Sequence, residues 1–287
     1  MSAIDPSYEP RKGSRDLTHR DADWSGLRVV VAGLGISGFA AADALSERGA
    51  IVTAVSADST PAIVERARIL EILDVDVRLG PEHLLGLPGG TELVVTSPAL
   101  RPDQPMLLEA TAGGVPVWGE VELAWRMRAR SGAAPWITIT GTNGKTTTVK
   151  MLASILQAAG LRATSAGNVG TPLLEVVLHP EPYDVLAVEL SSFQLHWQRS
   201  VRPVASVCLN LAPDHIDWHG SLEQYRADKA KVYTGTQIAC GYNVEDPATQ
   251  QMVRDADGAE DHRASGLSLR TPVLSTCGRG AACLAVR

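Results

Sequence analysis

Two stretches of this chain run a short apolar strand into a glycine turn and then into a helical pattern. Residues 27–32 (LRVVVA) lead into GLGISG, and residues 136–140 (WITIT) lead into GTNGKTTT. Such a strand carries apolar residues without alternation, so it must be covered on both faces, which happens inside a parallel sheet flanked by helices. A turn at the strand's carboxyl end aims backbone N–H groups and the positive end of a helix at whatever lies beyond it. Two such units predict an α/β protein with two parallel sheets, each with a ligand edge. The alternation of strand and helix predicts right-handed crossovers between the strands.

The segments between the units agree. After the first glycine turn, SGFAAADALSERG reads as a helix stopped at Gly49, IVTAVS as a strand, PAIVERARILEIL as a helix, and VDVRLG and TELVVTSP as strands. A boundary falls in RMRARSGAAP, residues 126–135. The second unit then continues through the helix TTVKMLASILQAAG, the strands DVLAVEL and VASVCLNL, a helix around LEQYRADKAKVY and a short strand near IACGYN. We expect a polar flexible tail at 1–25, a Rossmann-like domain at 26–130 and a P-loop-type domain at 131–262. The remaining 263–287 contains no acidic residue and lacks helix or strand periodicity.

The 287 residues suit two domains, and 45% hydrophobic with 20% charged residues suits a globular core. No apolar run nears the roughly 20 residues that span a bilayer. The N-terminus lacks the apolar region of a secretory signal. A net charge of -6 argues against a general nucleic-acid binder. The four cysteines, Cys208, Cys240, Cys277 and Cys283, show no metal-type spacing. Reduced thiols in a cytoplasmic monomer are the expectation. Only five lysines (12, 145, 150, 229, 231) and four asparagines (143, 168, 210, 243) are present, a bias of the kind base composition produces, which makes each a slightly better candidate for a position where Arg or Asp would not serve.

In the first turn Gly33, Gly35 and Gly38 form G-x-G-x-x-G around Ile36 and Ser37. Three readings stand: a nicotinamide or flavin dinucleotide site with Asp58 on a ribose, a nucleotide-diphosphate site, or a structural turn. The second turn is more specific. Gly141, Thr142, Asn143 and Gly144 would cradle phosphates, Lys145 would neutralise them, and Thr146, followed by Thr147, could ligate magnesium. Ile139 stands where the general phosphate-loop pattern has its first glycine, which argues against an ordinary kinase or GTPase.

Read in order, TGTNGKTTT, GNVG at 167–170, ELSSFQL at 189–195, NLAPDHID at 210–217 and YRADK at 225–229 resemble the Mur ligases of peptidoglycan synthesis. The resemblance spans about residues 26–262. The branch with a GLGISG domain and ELSSFQL adds D-glutamate to UDP-N-acetylmuramoyl-L-alanine. It implies ATP-driven phosphorylation of the alanyl carboxylate, then attack by the D-glutamate amine. It further implies Glu189 and His215 as ligands of Mg2+ (or Mn2+) beside Thr146, and Lys229 as a carbamate-bearing lysine whose anionic group orients the metal. Catalytic roles fall on Lys145, Glu189, His215 and Lys229. Substrate contacts fall on Asn168, Ser191, the Gly33–Gly38 turn, Ala57 and Asp58, where relatives often carry Thr-Arg, and Ala99, where Ser-Pro-Gly is usual. The family's C-terminal Rossmann-like domain has no match, so the chain is expected to be truncated or frameshifted, and impaired if so. The rivals are another Mur-type or a folate-adding ligase, a nucleotide binder without catalysis, and a nicotinamide-dependent oxidoreductase.

Overall fold

A computed structural model of the chain describes residues 15–257 and a strand at 263–267. The first unit contains β1 (Arg28–Ala32), α1 (Ile36–Ser46), β2 (Ile51–Ser56), α2 (Pro61–Ile72), β3 (Asp76–Leu79), β4 (Leu93–Thr96), α3 (Pro105–Ala112), β5 (Val117–Gly119) and α4 (Glu120–Arg126). Its five strands are all parallel, in the order β3-β2-β1-β4-β5. The β-branched run of β1 lies at the centre, with Val29, Val30, Val31 and Ala32 all buried. α1 lies against it through Gly38, Ala40, Ala41, Ala42, Ala44 and Leu45, small residues that let a helix approach a sheet closely.

The second unit contains β6 (Trp136–Thr140), α5 (Lys145–Ala158), β7 (Ala163–Gly167), α6 (Leu173–Val177), β8 (Val185–Glu189), α7 (Ser192–His196), β9 (Ala205–Cys208), α8 (Ile216–His219), α9 (Leu222–Ala230), β10 (Ala239–Asn243), α10 (Pro247–Asp257) and β11 (Arg263–Leu267). These strands are parallel too, ordered β11-β10-β9-β6-β8-β7. The chain leaves β6 for β7 and returns to β8 beside it, so neighbouring connections diverge at the carboxyl ends of β6, β8 and β9. Ligands of open α/β sheets bind at such switch points. Among the described residues no helix is long and apolar enough to cross a membrane.

Two expectations need correction. Residues 15–25 are not a solvated tail: Trp24 is buried, and its indole N–H donates to His19 O at 3.2 Å. Arg20 N donates to Arg128 O and its guanidinium to Val177 O at 2.7 Å, so the segment straps the two units together. Residues 263–267, which carry no strand periodicity, pair in parallel with β10 because the sheet edge supplies the partner. Residues 1–14 and 268–287, with Cys277 and Cys283, lie outside the described residues, whereas Cys208 and Cys240 are buried in the second sheet. The units are clamped further by Glu122, whose carboxylate accepts from Arg199 N, Ser200 N and Ser200 Oγ.

Candidate functional site

The carboxyl end of β6 enters a turn in which Gly141 (φ 154°) and Gly144 (φ 82°) adopt conformations that favour glycine. A side chain at Gly141 would also press on Leu209 Cβ at 3.1 Å. The turn is braced from β9: Asn143 N donates to Asn210 Oδ1 at 2.9 Å, and Asn210 Nδ2 donates back to Asn143 O at 3.0 Å. Thr142 Oγ1 lies 2.9 Å from the Tyr225 hydroxyl and accepts from Ala212 N at 2.9 Å.

Lys145 opens α5, with Nζ donating to Gly141 O and Thr142 O at 3.0 Å each. Lys229, buried on α9, donates to the same Gly141 carbonyl at 2.9 Å. Neither ammonium has a carboxylate partner within salt-bridge distance among the described residues. Burial, with Lys145 nearby, lowers the Lys229 amine to about 8. Its ammonium sits 4.9 Å from the Tyr225 ring centroid.

Facing the lysines, Glu189 ends β8 fully buried. Its Oε2 accepts from Thr146 Oγ1 at 2.8 Å and its Oε1 from Asn168 Nδ2 at 3.0 Å. His215, at left-handed φ 50°, lies before α8, its ring 4.8 Å from that of Phe193. Gly141, Thr142, Lys145, Asn168, Ser191, Ser192, Phe193, Asp214, His215, Tyr225 and Lys229 line one pocket of about 110 Å³. The structure therefore gathers most of the second-unit residues singled out from sequence. Thr147 is the helical residue after Thr146, and Ser191 spends its hydroxyl on the capping box of α7, with Gln194.

No three His, Cys, Asp or Glu side chains cluster into a metal site among the described residues. The available donors are instead the Thr146 hydroxyl and the Glu189 carboxylate, with the His215 imidazole opening on the pocket. That set suits a hard divalent cation that takes its other ligands from phosphate and water. Asn210, Tyr225, Asp214, Phe193 and Ser192 went unassigned from sequence, although all five lie within the quoted motifs.

At the first sheet, Gly33–Gly38, Ala57, Asp58 and Ala99 follow the carboxyl ends of β1, β2 and β4, and none of them lines the lysine pocket. Gly33 N donates to Val55 O and Ser97 N to Ala32 O, which draws the three turns to one edge. Gly35 precedes α1 without a side-chain cap, and Ile36 is exposed. Ala99 does not need glycine's freedom: Asp74 and His215 alone among the described non-glycine residues have positive φ. Arg101, two residues on, donates across to Asp217 O at 2.9 Å, tying this edge to α8.

The two units define an α/β protein of two parallel sheets, one entered through a phosphate-loop-type turn and the other Rossmann-like. Residues 139–270 match the Mur ligase middle domain. The chain belongs to the Mur ligase family. It is 55% identical over 256 residues to a UDP-N-acetylmuramoylalanine--D-glutamate ligase of Streptomyces avermitilis, covering 89% of this chain and 54% of the relative. With the Streptomyces coelicolor protein of the same name it shares 54% over 259 residues, covering 90% and 55%. The chain thus spans about half the length of these curated relatives. Among solved structures, the UDP-N-acetylmuramate:L-alanyl-gamma-D-glutamyl-meso-diaminopimelate ligase from Neisseria meningitides shares the fold, with TM-score 0.52 at 20% identity over 85% of this chain and 78% of that one.

Proposed function

We propose that this chain carries the ATP and UDP-substrate sites of a ligase that joins D-glutamate to UDP-N-acetylmuramoyl-L-alanine. The observation that carries the proposal is the pair of lysines without carboxylate partners, Lys145 and Lys229, on the Gly141 carbonyl, opposite Thr146, Glu189 and Asn168. A carboxylate is a poor electrophile, so its oxygen must first be phosphorylated by ATP with release of ADP. The amine then attacks the acyl carbon, and phosphate leaves. Two anions must approach for the first step, and the Lys145 ammonium lowers that repulsion. Loop N–H groups and Lys145 would hold the β- and γ-phosphates; Lys229 would face the carboxylate side. Thr146, Glu189 and His215 would hold magnesium or manganese, which supplies charge neutralisation between phosphate and carboxylate.

An amine of pKa about 8 keeps a larger neutral fraction near neutrality than an ordinary lysine, and the neutral form is the one a carbamate requires. Gly33–Gly38, Ala57, Asp58 and Ala99 would receive the UDP portion, with Asn168 and Ser191 nearer the reacting end. The same reading has a monomer acting in the cytoplasm, with no nucleic-acid or membrane partner.

The test is phosphate release from ATP with magnesium, UDP-N-acetylmuramoyl-L-alanine and D-glutamate. Release that requires both co-substrates is expected. Its absence, from this chain and from a chain of the relatives' length carrying these residues, would overturn the proposal. Saturable quenching by a reduced nicotinamide cofactor would favour the oxidoreductase instead.

A further inference from the structure

The lysine and magnesium groups leave one buried network beside the pocket without a task. Asp228 sits enclosed on α9, next to Lys229. Its Oδ2 accepts from His196 Nδ1 and His219 Nδ1, each at 2.9 Å, and its Oδ1 accepts from Lys231 Nζ at 2.8 Å. Burial opposes its ionisation, but the two imidazole bonds and the Lys231 charge hold it well below the usual carboxylate range. The far nitrogen of His219, Nε2, lies 3.0 Å from Ser192 Oγ. Ser192 lines the pocket with Lys145, Asn168, His215 and Lys229. Three helices, α7, α8 and α9, therefore meet on one carboxylate.

For a neutral imidazole, the direction of these bonds sets the polarity of the serine. An ionised carboxylate only accepts, so His219 must present its proton on Nδ1. A neutral imidazole protonated there has a bare acceptor at Nε2. The Ser192 hydroxyl then donates to Nε2, and only its lone pairs remain for the pocket.

We propose that Asp228 and His219 are positioning residues that hold Ser192 as an acceptor-only hydroxyl, set to take an N–H from an amine substrate. The amine part rests on the ligase reading. An attacking amine turns its lone pair to the acyl carbon, so its N–H groups point away and need acceptors. The lysines of this pocket are donors and cannot fill that role.

Two measurements decide it. In 15N-labelled protein at neutral pH, with His219 assigned by comparison with His219→Asn, the imidazole should show a protonated Nδ1 and a bare Nε2. A proton on Nε2, alone or in the imidazolium, would reverse the serine and overturn the proposal. In steady-state assays Ser192→Ala should raise KM for D-glutamate about tenfold, the loss of one hydrogen bond, and change KM for ATP less than about twofold. His219→Asn, which can still donate to Asp228, should move the same constant in the same direction. Equal rises in both KM values with a lowered melting temperature would mark a merely structural role and count against the proposal. If the unaltered protein shows no D-glutamate-dependent turnover, the amine assignment falls with the ligase reading, while the imidazole spectrum still decides the polarity of Ser192.

Discussion

Thr146 Oγ1 donates to Glu189 Oε2 across 2.8 Å, which ties the first turn of α5 to the carboxyl end of β8. With Asn168 on the other oxygen, the buried carboxylate is satisfied at both ends. A cation entering here would take Thr146 and Glu189 as ligands and replace their mutual bond. Glu189→Gln removes the charge and sets its new amide N–H against one of two donors. Magnesium-dependent ATP affinity should then fall at least about tenfold, with a stability cost of about 1–3 kcal/mol. Titration calorimetry with and without magnesium checks this; an unchanged metal dependence would remove Glu189 from the cation site.

Among the described residues the Lys145 ammonium bonds only to carbonyls of its own loop, Gly141 O and Thr142 O, and has no carboxylate to leave behind. Its ammonium can move to a phosphate without stranding a charge. Lys145→Met should weaken ATP binding by about ten- to a hundredfold, since hydrogen bonds to charged groups contribute roughly 1.5–3 kcal/mol. The melting temperature should stay nearly constant. A large drop would recast the lysine as a structural brace.

The glycines of the first turn differ in what they tolerate. A methyl group at Gly38 would overlap the Gly33 carbonyl oxygen, whereas at Gly35, with φ -65°, it meets nothing within 4 Å. Gly38→Ala should therefore destabilise by at least about 1–3 kcal/mol, the usual cost of overpacking. Gly35→Ala should stay close to the parent protein. Urea denaturation of the two variants, followed by far-UV circular dichroism, separates a packing role from a purely conformational one.

The elements legible from sequence are those whose signal is local. β1, β2, β6 and β8 are continuous apolar runs, and the turn at Gly141–Lys145 is written in consecutive residues. Features set by distant partners were not legible. Tyr225 reaches Thr142 across 83 positions and Asn210 reaches Asn143 across 67, because strand order brings β9 and α9 beside β6. β5, three residues long, is too short to show a period. Trp24 lies in a charged stretch whose composition points to solvent, yet its indole is buried by packing.

Glu120, at the first turn of α4, is fully buried, with Oε1 accepting from Leu174 N at 2.9 Å and Oε2 without a hydrogen-bond partner among the described residues. Burial raises its carboxyl from 4.5 to about 7, against the opposing pull of the Leu174 and Leu173 N–H groups. The folded chain thus keeps a proton that the unfolded chain releases between pH 4.5 and about 7. This contribution to stability is fully present below pH 4.5 and is lost as pH rises through 7. At roughly 1.4 kcal/mol per unit, it amounts to about 3 kcal/mol at most. Glu120→Gln, which keeps an acceptor for Leu174, should flatten that slope. The variant should be more stable than the parent at pH 8, with little gain at pH 4.5. Urea midpoints measured across that range check it, and parallel curves for the two proteins would show that Glu120 is not the group that titrates.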